Sequence, residues 1–187
     1  MQWQEVYRQI LALLNEETAR GKLLRLGFFL LLFYISGYFV QPMWFHAKDV
    51  DSSTHRFLAG IITQISVNVL KLFYANINVS SDFIVSINGK QCIALRPGCN
   101  GFNPIMRISL TLAVYPMVFK SKLLMLPLTV LILLIAAILH FMILIPISYY
   151  APNWYVFSHN YLTKTLFFTF YFFCWIIWEK NRSKLRW

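Results

Sequence analysis

Cys99 is the residue whose type and setting most invite chemistry. It lies in Arg96-Pro97-Gly98-Cys99-Asn100-Gly101, a turn flanked by glycines. The residues that follow read as a helix opening, with Asn103 as N-cap and Pro104 at the first helical position. A thiol beside a helix N-terminus meets the positive end of the dipole and free backbone N–H groups. Both favour the thiolate, which is the nucleophile. Gly98 and Gly101 let a substrate backbone come close, and the N–H groups of this turn can hold an oxyanion. The plain alternative is a small, unreactive cysteine in a tight turn.

Ionisable residues within apolar stretches are the next candidates, because burying them in a bilayer is costly without a reason. His140 lies in AAILHFMIL and His159 in YVFSHNYL. A neutral imidazole can take a thiol proton, and an imidazolium can hold a thiolate or protonate a leaving amine. A structural role is open for both: a helix-contact histidine bonded to a carbonyl for His140, an interfacial residue for His159. Arg107 lies four positions beyond Asn103 and eight beyond Cys99, so a regular helix would put the three on one face. It keeps its proton and can bind a carboxylate or a developing oxyanion, or else snorkel to a lipid phosphate. Arg96 can serve the same electrostatic purpose from the loop.

Other candidates are weaker. His46, Asp49, Asp51 and His55 match no standard metal-ligand spacing and read as a solvated loop, so no metal site or cofactor is expected. Cys92 falls in a β-prone run and Cys174 in an apolar one. A Cys92–Cys99 disulfide would silence the nucleophile, and a buried strand residue is the preferred reading of Cys92.

These residues must be positioned by elements that belong in a bilayer. The 187 residues are 58% hydrophobic and 13% charged, which excludes an ordinary soluble domain, a disordered chain and a disulfide scaffold. Four stretches, 24–44, 103–119, 123–149 and 161–178, are apolar enough to cross about 30 Å of hydrocarbon. Residues 57–75 read as an amphipathic interfacial helix, with Leu58, Ile61, Ile62, Ile65, Val69, Leu72 and Phe73 on its apolar face. Asn88-Gly89 between two β-prone runs predicts a small hairpin. The expected fold is an all-α integral membrane protein of about four spans, with interfacial helices and an outer β-hairpin.

Charge sets the orientation. The 17 Lys and Arg against 7 Asp and Glu give a net +10, but the basic residues cluster at the ends of apolar blocks and form no nucleic-acid surface. Arg8, Arg20, Lys22 and Arg25, then Lys120 and Lys122, then Lys180, Arg182, Lys184 and Arg186 all belong in the cytoplasm by the positive-inside rule. Four spans satisfy this if 57–75 does not cross. The chain then reads as one membrane domain: a cytoplasmic segment 1–23 that is no cleavable signal peptide, an outer segment 45–102, a helical core 103–178 and a cytoplasmic tail 179–187. It would be a multi-pass plasma (inner) membrane protein with both termini inside and Cys99 facing outward.

Over residues 83–180 the chain resembles the exosortase/archaeosortase family of membrane-embedded cysteine transpeptidases. The likeness rests on a β-prone segment, the turn Cys99-Asn100-Gly101 opening a span, a long span with a polar position near its outer end, and a last span introduced by His159. The resemblance implies Cys99 as nucleophile and His159 as a further catalytic residue. The family usually has an arginine late in the long span, where this sequence reads Ala-Ile-Leu-His. Either His140 takes that task, or Arg107 or Arg96 supplies the cation, or the site is altered. The resemblance further implies secreted substrates with a C-terminal sorting helix, a thioester intermediate and an amine-bearing acceptor in the membrane or envelope. The rivals are a non-catalytic partner or assembly factor for envelope and exopolysaccharide export, and a lipid- or substrate-binding transporter subunit.

Overall fold

The computed structural model describes residues 18–47, 52–80, 82–96, 101–117 and 119–182. In chain order they form α1 (Ala19–Ala47), α2 (Ser53–Leu70), β1 (Ile77–Val79), β2 (Ile84–Ile87), β3 (Lys90–Ala94), α3 (Phe102–Val114), α4 (Phe119–Tyr150), α5 (Pro152–Phe157), a π-helical turn (Ser158–Leu162) and α6 (Thr163–Arg182). Three helical runs are long and apolar enough to cross a membrane: 19–40 in α1, α4, and the continuous run 152–181 from α5 into α6. Leu31, Leu131 and Phe168 are each more than half exposed on these helices, as expected of surfaces that meet lipid. The chain is a mostly helical membrane protein.

Neighbouring helices alternate in direction. Gly37 on α1 meets Arg107 on α3, while Phe29 meets Tyr115 just past the other end of α3. Gly101 touches Ala137, whereas Lys122 Nζ donates to the Ala113 carbonyl, so α3 and α4 are antiparallel. His140 meets Thr163, while Trp178 Nε1 donates to Thr129 Oγ1 at 2.9 Å, so α4 and α6 are antiparallel too. One end of the bundle is closed by polar contacts. Arg25 pairs with Glu179, Tyr115 donates to the same carboxylate at 3.2 Å, and Trp175 Nε1 donates to Tyr115 Oη. Hydrophobic burial does little to hold helices together in lipid, so such contacts and close packing carry that task.

The helix boundaries differ from the sequence expectation in three places. α3 starts two residues early: Gly101, at φ 72°, is its N-cap and neither Asn103 nor Pro104 opens it. Left-handed backbone at this point favours glycine, and propensity gives no hint of it. α3 also ends at Val114, leaving 13 residues in place of the expected 17 or so. The last helix begins at Pro152, so His159 lies inside the helical run instead of ahead of it.

The amphipathic helix α2 runs over 53–70 and presents an unexpected face. His55, Ala59, Ile62, Thr63, Ser66, Val67 and Leu70 are buried, while Phe57 and Ile65 are exposed. Of the expected apolar face only Ile62 packs fully inside. Small and hydroxyl side chains let α2 approach α4, where Ser66 Oγ donates to the Ile138 carbonyl at 3.4 Å.

The expected hairpin is present as β2–β3, with Asn88 (φ 51°) and Gly89 (φ 78°) at its turn. It is part of a three-stranded antiparallel sheet of order β1-β2-β3, a strand more than the sequence reading gave. Ile77, Val85, Ile87 and Ile93 pack this sheet into a common core with Ile62 of α2 and Phe141 and Leu144 of α4.

Candidate functional site

At the end of the bundle away from the Arg25–Glu179 pair lies a cavity of about 470 Å³. Phe33 comes to it from α1, Asn103, Pro104 and Arg107 from α3 with Gly101 at the cap, and His140 from α4. The π-helical turn supplies His159, and α6 supplies Thr163, Lys164 and Tyr171. Most of the wall is apolar, and the polar groups converge from different helices, which is the usual make-up of a ligand site.

His140 forms the back wall and is 2% exposed. Thr163 Oγ1 lies 3.2 Å from its Nδ1, and its Nε2 has no hydrogen-bond partner among the described residues. The ring of His159 stands 5.7 Å from it, centroid to centroid, and Phe167 lies at 6.0 Å on another side. His159 is stacked parallel to Tyr155 at 5.8 Å. The π-helical turn 158–162 adds a residue to the helical repeat and so re-aims His159 relative to the residues on either side of it. Thr163, one turn beyond His159, was not singled out in the sequence, although the four-residue spacing places both on one face.

Arg107 is held by α1. Its guanidinium carbon lies 6.0 Å from the Phe33 ring centroid, and a Cβ added at Gly37 would come within 3.0 Å of Cζ and Nη2. Glycine at 37 therefore makes room for the cation against the α1 backbone. Its buried Nε has no hydrogen-bond partner among the described residues. Asn103 and Arg107 both line the cavity, as their spacing requires. Gly37 escaped the sequence reading because a lone glycine in an apolar run carries no local signal of what it faces.

Gly101 does two things. It adopts the left-handed φ that opens α3, and an added Cβ would stand 3.2 Å from Ala137 Cβ, so the turn is seated directly on α4. Arg96 is exposed and takes no part in lining the cavity. Gly98, Cys99 and Asn100 lie outside the described residues, as do Asp49 and Asp51. Cys92 is on β3, its thiol donating to the Lys90 carbonyl at 3.4 Å, and burial pushes that thiol above its ordinary pKa. His55 is buried in α2, edge-on to Phe83 at 5.9 Å. The structure thus brings His140, His159, Arg107, Asn103 and Gly101 together around one space.

No protein-family profile, curated protein or solved structure matches this chain.

What the arrangement can do is plain from its parts. Two imidazoles in contact can pass or share a proton, and a guanidinium that never deprotonates can hold an anion in an apolar wall. Thr163 fixes the orientation of the His140 ring through Nδ1, leaving Nε2 to face other groups.

Proposed function

We propose that this chain is a membrane-embedded cysteine peptidase or transpeptidase with Cys99 as nucleophile. The observation that carries the reading is that Gly101, two residues after Cys99, walls the same cavity as His140, His159 and Arg107. Covalent geometry keeps the Cα of Cys99 within about 7 Å of that of Gly101. On this reading the Cys99 thiol acts in a space lined by two imidazoles and a guanidinium.

In this mechanism an imidazole of the His140–His159 pair takes the Cys99 proton. The thiolate attacks the carbonyl carbon of a peptide bond, and the oxyanion forms beside Arg107 and the N–H groups of the glycine turn. Collapse of the tetrahedral species breaks the C–N bond, the imidazolium gives its proton to the leaving amine, and a thioester remains. An amine-bearing membrane or envelope acceptor, or water, then attacks the thioester and frees the thiol. His140 stands where the resembled family has its arginine, and Arg107 restores a cation from the neighbouring helix.

The substrate class on this reading is a secreted polypeptide with an apolar C-terminal helix. The chain crosses the plasma (inner) membrane four times, with α3 as the short second crossing, both termini in the cytoplasm and the cavity open to the outer side. At 13 residues α3 is about 20 Å long, so the turns at its ends must complete the passage.

The direct test is Cys99→Ala in the full chain, with C-terminal processing of secreted proteins read by mass spectrometry. Processing stops while membrane insertion is unchanged if Cys99 is the nucleophile. Undiminished processing would leave a non-catalytic partner as the better account.

A further inference from the structure

The sheet has one closed edge and one open one. β3 is closed by α4: the Ser148 hydroxyl donates to the Cys92 carbonyl, and Lys90 Nζ donates to the Tyr149 carbonyl at 3.3 Å. β1 pairs with β2 alone. Asn88 N donates to Asn76 O at 2.9 Å and Ser80 N to Ile84 O at 3.0 Å, which makes Asn78 and Ser86 the hydrogen-bonded pair between them. The N–H and C=O groups of Ile77 and Val79 therefore point away from the sheet. No described residue bonds to them.

They face a groove of about 360 Å³ whose other wall is α2, with Gln64, Asn68 and Lys71 exposed along it. Native edge strands are usually blunted by proline or charge, and Ile77-Asn78-Val79 carries neither. Strands lie about 4.8 Å apart, so a strand added to this edge would run beside β1 in the groove. Asn68 Oδ1 lies 3.5 Å from Lys71 Nζ, which leaves a positive charge at the groove lip for an acidic side chain.

We infer that this groove binds an extended peptide segment, which adds as a fourth strand to β1 and places an acidic residue against Lys71. The inference rests on the proposed function in one respect: the natural occupant is the extended segment of the polypeptide substrate. Main-chain bonds to Ile77 and Val79 supply the affinity, and the alternate side chains meet Gln64, Asn68 and Lys71.

The probe is a fluorescein-labelled heptapeptide of alternating Val and Glu, titrated against the full chain in nanodiscs by anisotropy. Saturable binding is expected, weakened at least tenfold when the peptide is N-methylated along one edge. Val79→Pro removes one outward N–H and leaves the β1–β2 bonds in place, so it weakens binding about fivefold. Lys71→Glu weakens the Val/Glu probe and strengthens a Val/Lys probe, a reversal that does not depend on the proline variant folding. Absence of saturable binding, or binding indifferent to N-methylation and to Lys71→Glu, overturns the inference. Cys99→Ala binds the probe as the unaltered chain does. If the groove fails while Cys99-dependent processing persists, the docking site alone is wrong. If the probe binds as described while Cys99→Ala processes normally, the catalytic reading alone is wrong.

Discussion

The imidazole rings of His140 and His159 lie 5.7 Å apart at an interplanar angle of 32°, one from the middle of α4 and the other from a π-helical turn. Thr163 and Phe167, four and eight residues beyond His159, also stand on His140. The pair is thus built across an antiparallel contact between two helices, and His159 sits on a departure from regular α-helix. Such a departure at a cavity wall is where π-turns recur.

If the pair activates Cys99, its members act as a unit. His140→Ala and His159→Ala should each lower the rate of Cys99 alkylation by iodoacetamide near pH 7 by about 10²-fold, and the double variant should be little worse than either. Mapping the modified peptide by mass spectrometry separates Cys99 from Cys92 and Cys174. Additive losses, or none, would show that the rings do not share a proton with the thiol.

Gly37 should behave as a position that Arg107 requires. Gly37→Ala puts a methyl within 3.0 Å of the guanidinium, so Arg107 must shift or α1 must withdraw from α3. Overpacking of this kind costs about 1–3 kcal/mol, and processing should fall about tenfold or more. Gly27, on the same helix, has nothing within 4 Å of an added Cβ, and Gly27→Ala should be neutral in both assays. Equal behaviour of the two variants in processing and in detergent unfolding contradicts the packing argument.

The apolar runs and the Asn-Gly turn were legible in the sequence because composition and local backbone preference decide them. The face of α2 was not. Its apolar residues mark a face but not what that face meets: Thr63 and Ser66 pack against the protein while Ile65 is exposed, because small side chains permit close helix approach. His140, His159 and Arg107 stood out as ionisable residues in apolar sequence. What each of them touches is tertiary: the guanidinium's place against Gly37, Thr163 on His140, and Gly101 on Ala137 join residues 23 to 70 positions apart. The three-residue strand β1 carries too short a pattern to announce itself.

His55 links the fold to pH. Burial, with a smaller contribution from Arg56, holds its imidazole below the ordinary value of 6.5. The native state therefore resists a proton that the unfolded chain accepts below that pH. Stability is full above about 6.5 and is lost as pH falls from there toward the depressed native pKa. Amide protection factors in α2, taken relative to the intrinsic exchange rate at each pH, should decline as pH falls below 6.5, and His55→Leu should remove that decline while keeping the contact with Phe83. A flat profile in the unaltered chain rules the coupling out.

The Arg25–Glu179 pair should be costly to break from one side. Arg25 is 0% exposed, and Glu179 also accepts from Tyr115. Glu179→Gln removes one carboxylate from a buried cation, and one-sided loss of a buried pair typically costs about 3–5 kcal/mol. Arg25→Met combined with Glu179→Gln should recover much of that loss. The check is detergent-to-denaturant unfolding followed by Trp fluorescence, with Trp175 and Trp178 beside the pair. A double variant as unstable as the sum of the two singles argues that the two side chains do not interact.

The same pair bears on topology. Arg25 stands near the start of α1 and Glu179 near the end of α6, and their contact brings the two ends of the bundle's chain to one side. Ends on one side of a bilayer require an even number of crossings, whereas among the described residues three helices are long enough to cross unaided. On the proposed topology α3 supplies the fourth, which also returns Lys120 and Lys122 to the side of the other basic clusters, as the positive-inside rule asks. Phosphatase and fluorescent-protein reporters fused at Ile87 and after Trp187 test this directly. Ile87 should read as outer and Trp187 as cytoplasmic. An Ile87 fusion on the same side as Trp187 would mean that α3 does not cross in that way, and would take Cys99 off the outer face with it.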